Sequence, residues 1–411
     1  MRKDTNYPSE WQRTTFEDVA HYINGYAFKP EDWGSVGLPI IRIAQINNPE
    51  TDHAYYGGPI ADDYVIEDGD LLFSWSATLT TLIWNRGPAL LNQHIFKVIP
   101  QEGVDLHFLH HLIDYKIEDL ARQSHGSTMK HIKKSDLLPF PLVIPPLPEQ
   151  RRIAEILDTA DAAIRETERV IAKLRQVKQG LLHDLLTRGL DAHGHLRDPE
   201  VHPEQFKDSP LGRIPRGWEI VTIDDIAVHV VDCPHTTPTY KDEGVLVART
   251  SEIREGDFRL QEAAHVSEKE YHERIARLEP QTGDIIFTRE APVGEAFVIP
   301  EGMKICLGQR TMVLRPKQDE IISSYLLGQI YSPRTQERFQ ELVGGTTNPH
   351  LNVGTVRSFR IPTPSISEQH RIAAVLDAHD ARIRAEEAVL AKRRQVKRGL
   401  MDDLLTGRVR V

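Results

Sequence analysis

A long helix-forming element occurs twice in this chain, and that repetition limits the architectures open to it more than any other feature. EQRRIAEILDTADAAIRETERVIAKLRQVKQGLLHDLLT (149–187) aligns without a gap to EQHRIAAVLDAHDARIRAEEAVLAKRRQVKRGLMDDLLT (368–406), with about 25 of 39 positions identical. In the first copy Ile153, Leu157, Ala160, Ile164, Thr167, Ile171, Leu174, Val177, Leu181 and Leu185 recur in steps of three and four, which places them on one helical stripe. Ile372, Leu376, Ile383, Leu390, Val396, Leu400 and Leu404 mark the equivalent stripe in the second copy. Prolines stand just upstream, at Pro148 and Pro364, and none interrupts the interior. Some 37 residues at about 1.5 Å each extend roughly 55 Å, longer than a small domain is wide. Such a stripe needs a partner of equal length, and the other copy supplies one as an antiparallel coiled coil with pseudo-twofold symmetry. The polar stripe positions Thr167, His379, Glu386 and Arg393 would fix its register.

Ahead of each helix lies a region of similar length with the same order of signals. Each opens on a tryptophan, Trp11 or Trp218, and continues to a short apolar strand, LPIIRIAQI or GVLVART. A Gly-Asp turn then leads into GDLLFSW (from Gly69) or GDIIFTR (from Gly283). A third apolar run follows, ALLNQHIFKVI or KICLGQRTMVL, and then a helix, FLHHLIDYKIEDLARQ or SYLLGQIYSPRTQERFQELV. Each region closes on a Gly/Thr loop, Gly126–Thr128 or Gly345–Thr347, at the same distance from its long helix. The plan is α+β: a head over 1–147, a stem helix over 148–187, an extended surface linker rich in Pro, Gly and His over 188–214, a second head over 215–366 and a second stem over 367–408. Divergent heads on near-identical stems are expected when the stems share one job and the heads do two.

With 40% hydrophobic and 27% charged residues among 411, each half can bury a core without disulfides. Cys233 and Cys306 stand far apart with no metal-binding spacing, as thiols of a reducing compartment do. No apolar leader or membrane-length run is present, so a cytoplasmic location without membrane contact is expected. The net charge of −10 argues against a simple nucleic-acid binder unless basic residues cluster locally. Two clusters do so: Arg122, Lys130, His131, Lys133 and Lys134, and Lys392, Arg393, Arg394, Lys397 and Arg398. Catalytic signatures are missing, with no Asp/Asn-Pro-Pro-aromatic loop, no GxxxxGK[ST] and no GxGxxG after a strand. His107, His110 and His111 stand near the start of a helix at a spacing that could ligate a metal, but one histidine group without a carboxylate or cysteine partner reads as surface or packing, so no metal and no cofactor is assigned. Asp284, Glu290 and Glu295 could be read as a nuclease cluster but lack the paired lysine.

The motifs Pro145-Pro146-Leu147-Pro148-Glu149-Gln150 with Ile153 to Asp158, Glu368-Gln369 with Ile372 to Asp377, Leu185-Leu186-Thr187 and Leu404-Leu405-Thr406-Gly407 stand at matching places in the two halves. With the loop from Gly126 to Ile132 and the segment Asn24-Gly25-Tyr26-Ala27-Phe28-Lys29, they give a chain that resembles the specificity subunits of type I restriction-modification systems along essentially its whole length. The resemblance implies two target-recognition domains and no catalysis by this chain itself. It also implies two modification subunits, which complete a DNA adenine methyltransferase, and restriction subunits for ATP-dependent cleavage. Double-stranded DNA would then be read as a bipartite, asymmetric target with a nonspecific spacer, its halves about 35–55 Å apart along the stems. Base edges demand donors and acceptors on loops. The candidates are Trp75, Gln93, Gly126, Ser127, Thr128, Lys130, His131 and Lys133 in the first head, and Arg249, Arg289, Gln309, Arg310, Thr346, Thr347 and Asn348 in the second. The second loop, Gly344-Gly345-Thr346-Thr347-Asn348-Pro349, departs from the first, so its contacts do not transfer. Three readings compete: a specificity subunit of a fused type II restriction-methylation enzyme, a coiled-coil scaffold that binds no DNA, and a nuclease.

Overall fold

The computed structural model describes residues 7–123, 132, 134–344 and 349–411. The chain divides into two compact units, Met1–Glu168 with Ala388–Val411, and Arg169–Glu387. The stem helices, Leu147–Thr187 and Ile366–Leu404, therefore each contribute one portion to each unit.

Within the first unit, an antiparallel sheet runs in the order Ala20–Asn24, Ile95–Pro100, Leu71–Ser74, Thr80–Ile83. A second sheet has the order Ala54–Tyr56, Leu38–Ile41, Ala89–Leu91, Val65–Ile66, with its middle pair parallel. The second unit repeats this plan with Ala227–Asp232, Thr311–Pro316, Ile285–Thr288 and Ala296–Val298, and with Ala264–Val266, Val245–Ala248 and Ile305–Leu307, the last two parallel. The third apolar run of each head is thus two strands in two sheets. The chain turns between them at His94 (φ 79°) and at Arg310 (φ 68°), a left-handed conformation that hydrophobicity does not announce. SYLLGQIYSPRTQERFQELV is likewise two helices, Ser323–Tyr331 and Pro333–Val343, broken where Ser332 caps the second and Pro333 opens it.

Head and stem share one core in each unit. Phe73, Phe96, Phe108 and Leu112 pack with Ile153 and Leu157 of the first stem and with Leu404 of the second. Phe287, Tyr325 and Leu326 pack with Leu182 and Leu186 and with Ile372 and Leu376. Each such aliphatic side chain contributes about 2 kcal/mol by burial.

The Glu-Gln that opens each stem closes its head. Trp11 donates its indole Nε1–H to Glu149 Oε2 at 3.2 Å, and Trp218 donates to Glu368 Oε1 at 3.1 Å. Gln150 accepts the Asp105 amide at 2.9 Å and Gln369 accepts that of Ile322 at 2.9 Å, each donating back to two carbonyls. A short antiparallel strand pair, Gln12–Thr15 with Pro141–Ile144 or Glu219–Thr222 with Arg360–Thr363, ties the start of each head to its end. Guanidinium groups complete both latches. Arg410 holds Glu149, and Arg197 reaches Glu368 through Nη1 at 2.6 Å and Nη2 at 3.1 Å. Arg197 comes from the segment expected to be an extended linker. That segment buries Leu190, Phe206 and Ile214 and forms a hairpin of Phe206–Lys207 with Ile214–Pro215, because its few apolar residues fit the second unit's surface.

The stems pair antiparallel in each unit. Lys397 meets Asp161 at 2.7 Å and Arg394 meets Glu168 at 2.7 Å, while in the second unit Lys178 meets Asp380 at 2.7 Å and His379 donates to the Leu174 carbonyl at 2.8 Å. Three of the four expected register positions act as such: Arg393 donates to the Ala163 carbonyl at 2.6 Å and also to Thr167 Oγ1, and His379 is the third. The stripe itself is less continuous than the periodicity suggests, since Val177 and Val396 are 41% and 49% exposed. Ile164, Thr167, Ile171 and Ile383 stay buried outside the cores shared with the heads, but two helices alone leave the flanks of a 3.6-residue stripe in solvent.

Candidate nucleic-acid interface

In the first head, three chain segments converge at the end of the four-stranded sheet. Asn24 ends one strand, Trp75 follows Leu71–Ser74, and Gln93-His94 connect the two sheets. Trp75 donates its indole Nε1–H to Asn24 Oδ1 at 3.1 Å, and its ring meets those of His94 and Phe96 with centroids 5.0 and 5.6 Å away. Its backbone works in both directions, the amide donating to the His94 carbonyl at 3.1 Å and the carbonyl accepting the Ile132 amide at 2.9 Å. Ile132, fully buried, anchors the far side of the Gly/Thr loop. Gln93 is half-buried, and its amide donates to the Tyr26 carbonyl at 2.8 Å. The Asn-Gly-Tyr segment has to carry glycine, because a Cβ on Gly25 would lie 2.2 Å from the Asn92 carbonyl oxygen.

The second head reproduces this frame with other residues. Arg289 takes the place of Trp75: its amide donates to the Arg310 carbonyl at 2.9 Å and its carbonyl accepts the Leu351 amide at 3.0 Å. Asp232 replaces Asn24, with Oδ1 at 3.0 Å from Arg289 Nε. A neutral amide–indole pair in one head is therefore an ion pair in the other. Arg289 is 6% exposed and also donates to the Leu351 carbonyl, so the structure makes it an interior support where the sequence suggested a reader of bases. Gln309 is half-buried, and Arg310 is exposed with its Nε 3.4 Å from Glu290.

A further matched position escaped the sequence reading. Arg249 stacks over Tyr240 at 5.1 Å and donates Nε to Glu252 Oε1 at 2.8 Å, and this hydrogen bond to buried Glu252 raises its pKa above the ordinary value. Its counterpart is Arg42, which stacks over Trp33 at 5.3 Å. There the residue three positions on is Gln45, whose Oε1 accepts the Arg42 amide at 3.1 Å and which carries no charge. The Arg42 guanidinium has no carboxylate or hydrogen-bond partner among the described residues, and its Nε is buried unpaired. The signal was the spacing Arg-x-x-Gln against Arg-x-x-Glu just after the first apolar strand of each head.

Gly126, Ser127, Thr128, Lys130, His131, Lys133, Thr346, Thr347 and Asn348 lie outside the described residues. Of the basic clusters, Arg393, Arg394 and Lys397 are engaged in stem pairing, and Lys134 donates to the Tyr22 carbonyl at 3.0 Å. The acidic trio does not assemble. Asp284 is buried against Arg315 at 2.8 Å, Glu295 accepts the Tyr331 hydroxyl at 2.7 Å, and Glu290 faces Arg310. The histidines do have carboxylate partners, supplied by the stem some 50 residues on: His107 Nδ1 lies 2.7 Å and His111 Nε2 2.8 Å from Asp158. Among the described residues no helix is long and apolar enough to cross a membrane.

Two heads that share one backbone frame but differ at its edge, carried on stems of near-identical sequence, define a duplicated recognition protein. A model of the type I restriction modification DNA specificity domain matches twice, over residues 8–176 and 215–392, and the chain belongs to that family. It is 25% identical over 369 residues to the type I restriction enzyme EcoBI specificity subunit of Escherichia coli, covering 88% of this chain and 77% of that one. To the putative type I restriction enzyme MjaX specificity subunit of Methanocaldococcus jannaschii it is 24% identical over 428 residues, covering 98% and 95%. The crystal structure of a type I restriction-modification system S subunit from M. genitalium shares the fold at TM-score 0.57 and 13% identity, over 98% of each chain.

Proposed function

We propose that this chain is the sequence-reading subunit of a type I restriction-modification complex, binding double-stranded DNA as a bipartite, asymmetric target with a nonspecific spacer. One observation carries the reading: the same edge is built twice with unlike chemistry, Asn24–Trp75 beside an unpaired Arg42 in one head and Asp232–Arg289 beside a neutralised Arg249 in the other. Equal frames with unequal donors suit two different half-sites, since base edges are told apart by donor and acceptor patterns. The heads span 1–147 and 215–366, and the stems, 148–187 and 367–408, offer helical surface to two modification subunits, with restriction subunits joining that assembly. The chain itself is not catalytic; methyl transfer and ATP-dependent cleavage belong to its partners. Readers in the first head are Arg42, Trp75, Gln93 and the loop residues Thr128, Lys130, His131 and Lys133. In the second they are Gln309, Arg310, Thr346, Thr347 and Asn348, with Arg249 and Arg289 shaping the edge.

Co-expression with a type I modification subunit, followed by single-molecule sequencing of host DNA, tests this. The expected result is a bipartite methylated-adenine motif whose first half is lost with Lys130→Ala/His131→Ala and whose second half is lost with Gln309→Ala/Arg310→Ala. A stable complex without any motif would overturn it in favour of a scaffold.

A further inference from the structure

The pair His110-His111 on the helix Leu106–Gln123 faces Asp158 and Asp161 of the first stem helix within the first unit. His111 is fully buried. Its Nε2 lies 2.8 Å from Asp158 Oδ1, and a carboxylate accepts, so Nε2 carries the proton and Nδ1 is left with a lone pair. That lone pair points at no donor. An acceptor, Asp161 Oδ2, lies 3.8 Å away, and Nδ1 has no hydrogen-bond partner among the described residues. His110 Nδ1 is buried beside it without a partner either, and one ligand atom from each of His110, His111 and Asp161 falls within 4.8 Å of the others. Two buried imidazole nitrogens without a hydrogen-bond partner, gathered beside a carboxylate, are groups whose burial a bound cation would offset.

We propose that His110, His111 and Asp161 bind a divalent transition-metal ion of the Zn2+ class, clamping the helix of the first head to its stem. Two imidazole nitrogens and one carboxylate oxygen are a three-ligand set for such an ion, with a fourth position open to the cleft lined by Asp114, Glu155 and Arg165. Asp158 supplies the supporting shell, fixing the His111 tautomer as carboxylates do behind metal-bound histidines. Asp161 can serve both neighbours, since Oδ1 holds Lys397 at 2.7 Å while Oδ2 faces His111. Tetrahedral ligands of such an ion stand about 3.3 Å apart, against 3.8 Å for His111 Nδ1–Asp161 Oδ2 and no more than 4.8 Å for any pair of the three, so metal binding must draw the ligands together by up to about 1.5 Å.

The second unit serves as an internal control. The matched latches of Gln150 and Gln369 set Leu327-Gly328 against His110-His111, with Asp377 and Asp380 against Asp158 and Asp161. Lys178–Asp380 repeats Lys397–Asp161 at 2.7 Å in each case, so stem pairing accounts for the aspartate and the lysine but not for the histidines.

The full chain, stripped with EDTA, is titrated with Co2+ as a visible probe and with Zn2+ by calorimetry, in parallel with His110→Leu, which installs the second head's residue, and with His111→Gln. Wild type is expected to bind one equivalent with nitrogen-ligand absorption bands and to melt higher with Zn2+. Each variant should bind on the order of 100-fold more weakly and lose the Zn2+-dependent rise in melting temperature, while His110→Leu melts like wild type in EDTA. No stoichiometric uptake by wild type, or uptake that His110→Leu leaves unchanged, would overturn the proposal.

Discussion

Arg42→Ala should weaken DNA binding without weakening the fold, and Arg249→Ala should do the reverse. The difference lies three residues downstream. Uncharged Gln45 holds the Arg42 backbone and leaves the guanidinium free, whereas Glu252, 1% exposed, takes the guanidinium of Arg249. A bidentate contact from a free arginine to a base is worth about 1–3 kcal/mol, so its loss weakens binding about 5- to 150-fold. A phosphate contact would instead lower the salt slope by about one counterion. Arg249→Ala strips a buried carboxylate of its ion pair, which costs about 3 kcal/mol of stability, the low end for such pairs because the Arg249 amide and Ser251 Oγ still donate to Glu252. The assay is fluorescence anisotropy of the methyltransferase complex on its methylation motif at two salt concentrations, beside thermal unfolding of each variant. Arg42→Ala binding within twofold of wild type with an unchanged melting temperature would refute the reasoning. So would an Arg249→Ala variant that lost affinity but no stability.

Other perturbations follow from the same contacts. Glu368→Gln keeps an oxygen for Trp218 and the Leu190 amide but opposes Arg197, so urea unfolding should show a loss of about 2–3 kcal/mol; Glu149→Gln should lose less, because Arg410 is 44% exposed. Gly25→Ala forces a methyl to 2.2 Å from the Asn92 oxygen and should destabilise the first head by about 3 kcal/mol, read as lost protection of the Gln93 amide in hydrogen exchange. Burial raises the pKa of Cys233 and pushes that of Cys306 up to about 12, so neither thiol should react with iodoacetamide at about pH 8 until urea is added; native labelling of either would contradict the described core.

The repeat alone made most of the architecture legible. Identity between two 39-residue stretches required two copies of one element, and the steps of three and four made each a helix. What the motif was for could not be read there. The Glu-Gln pair looks like the start of a helix, yet Glu149 receives an indole from 138 residues away and Gln150 holds a backbone 45 residues away. Residues in the left-handed conformation, His94 and Arg310, hid the strand break because nothing in their polarity marks it. Arg289 looked like a reader because its partner Asp232 is 57 positions upstream, on a strand two places over in the same sheet. Arg42 was missed by scoring each head separately, and laying the heads over one another brings it out. For the histidine pair, the carboxylates that meet the His111 ring, Asp158 and Asp161, stand some 50 residues on in the stem, where local spacing does not point.

The first unit is discontinuous along the chain, taking Met1–Glu168 and then Ala388–Val411, while the second is the unbroken stretch Arg169–Glu387. During synthesis the head that leaves the ribosome first is therefore finished last. Its Trp11–Glu149 latch waits for Arg410, and Leu404 joins its core only after the other unit is complete. Until then the apolar face of Ile153 and Leu157 has only its own head for cover, so a pause in translation late in the message falls on the half that has waited longest.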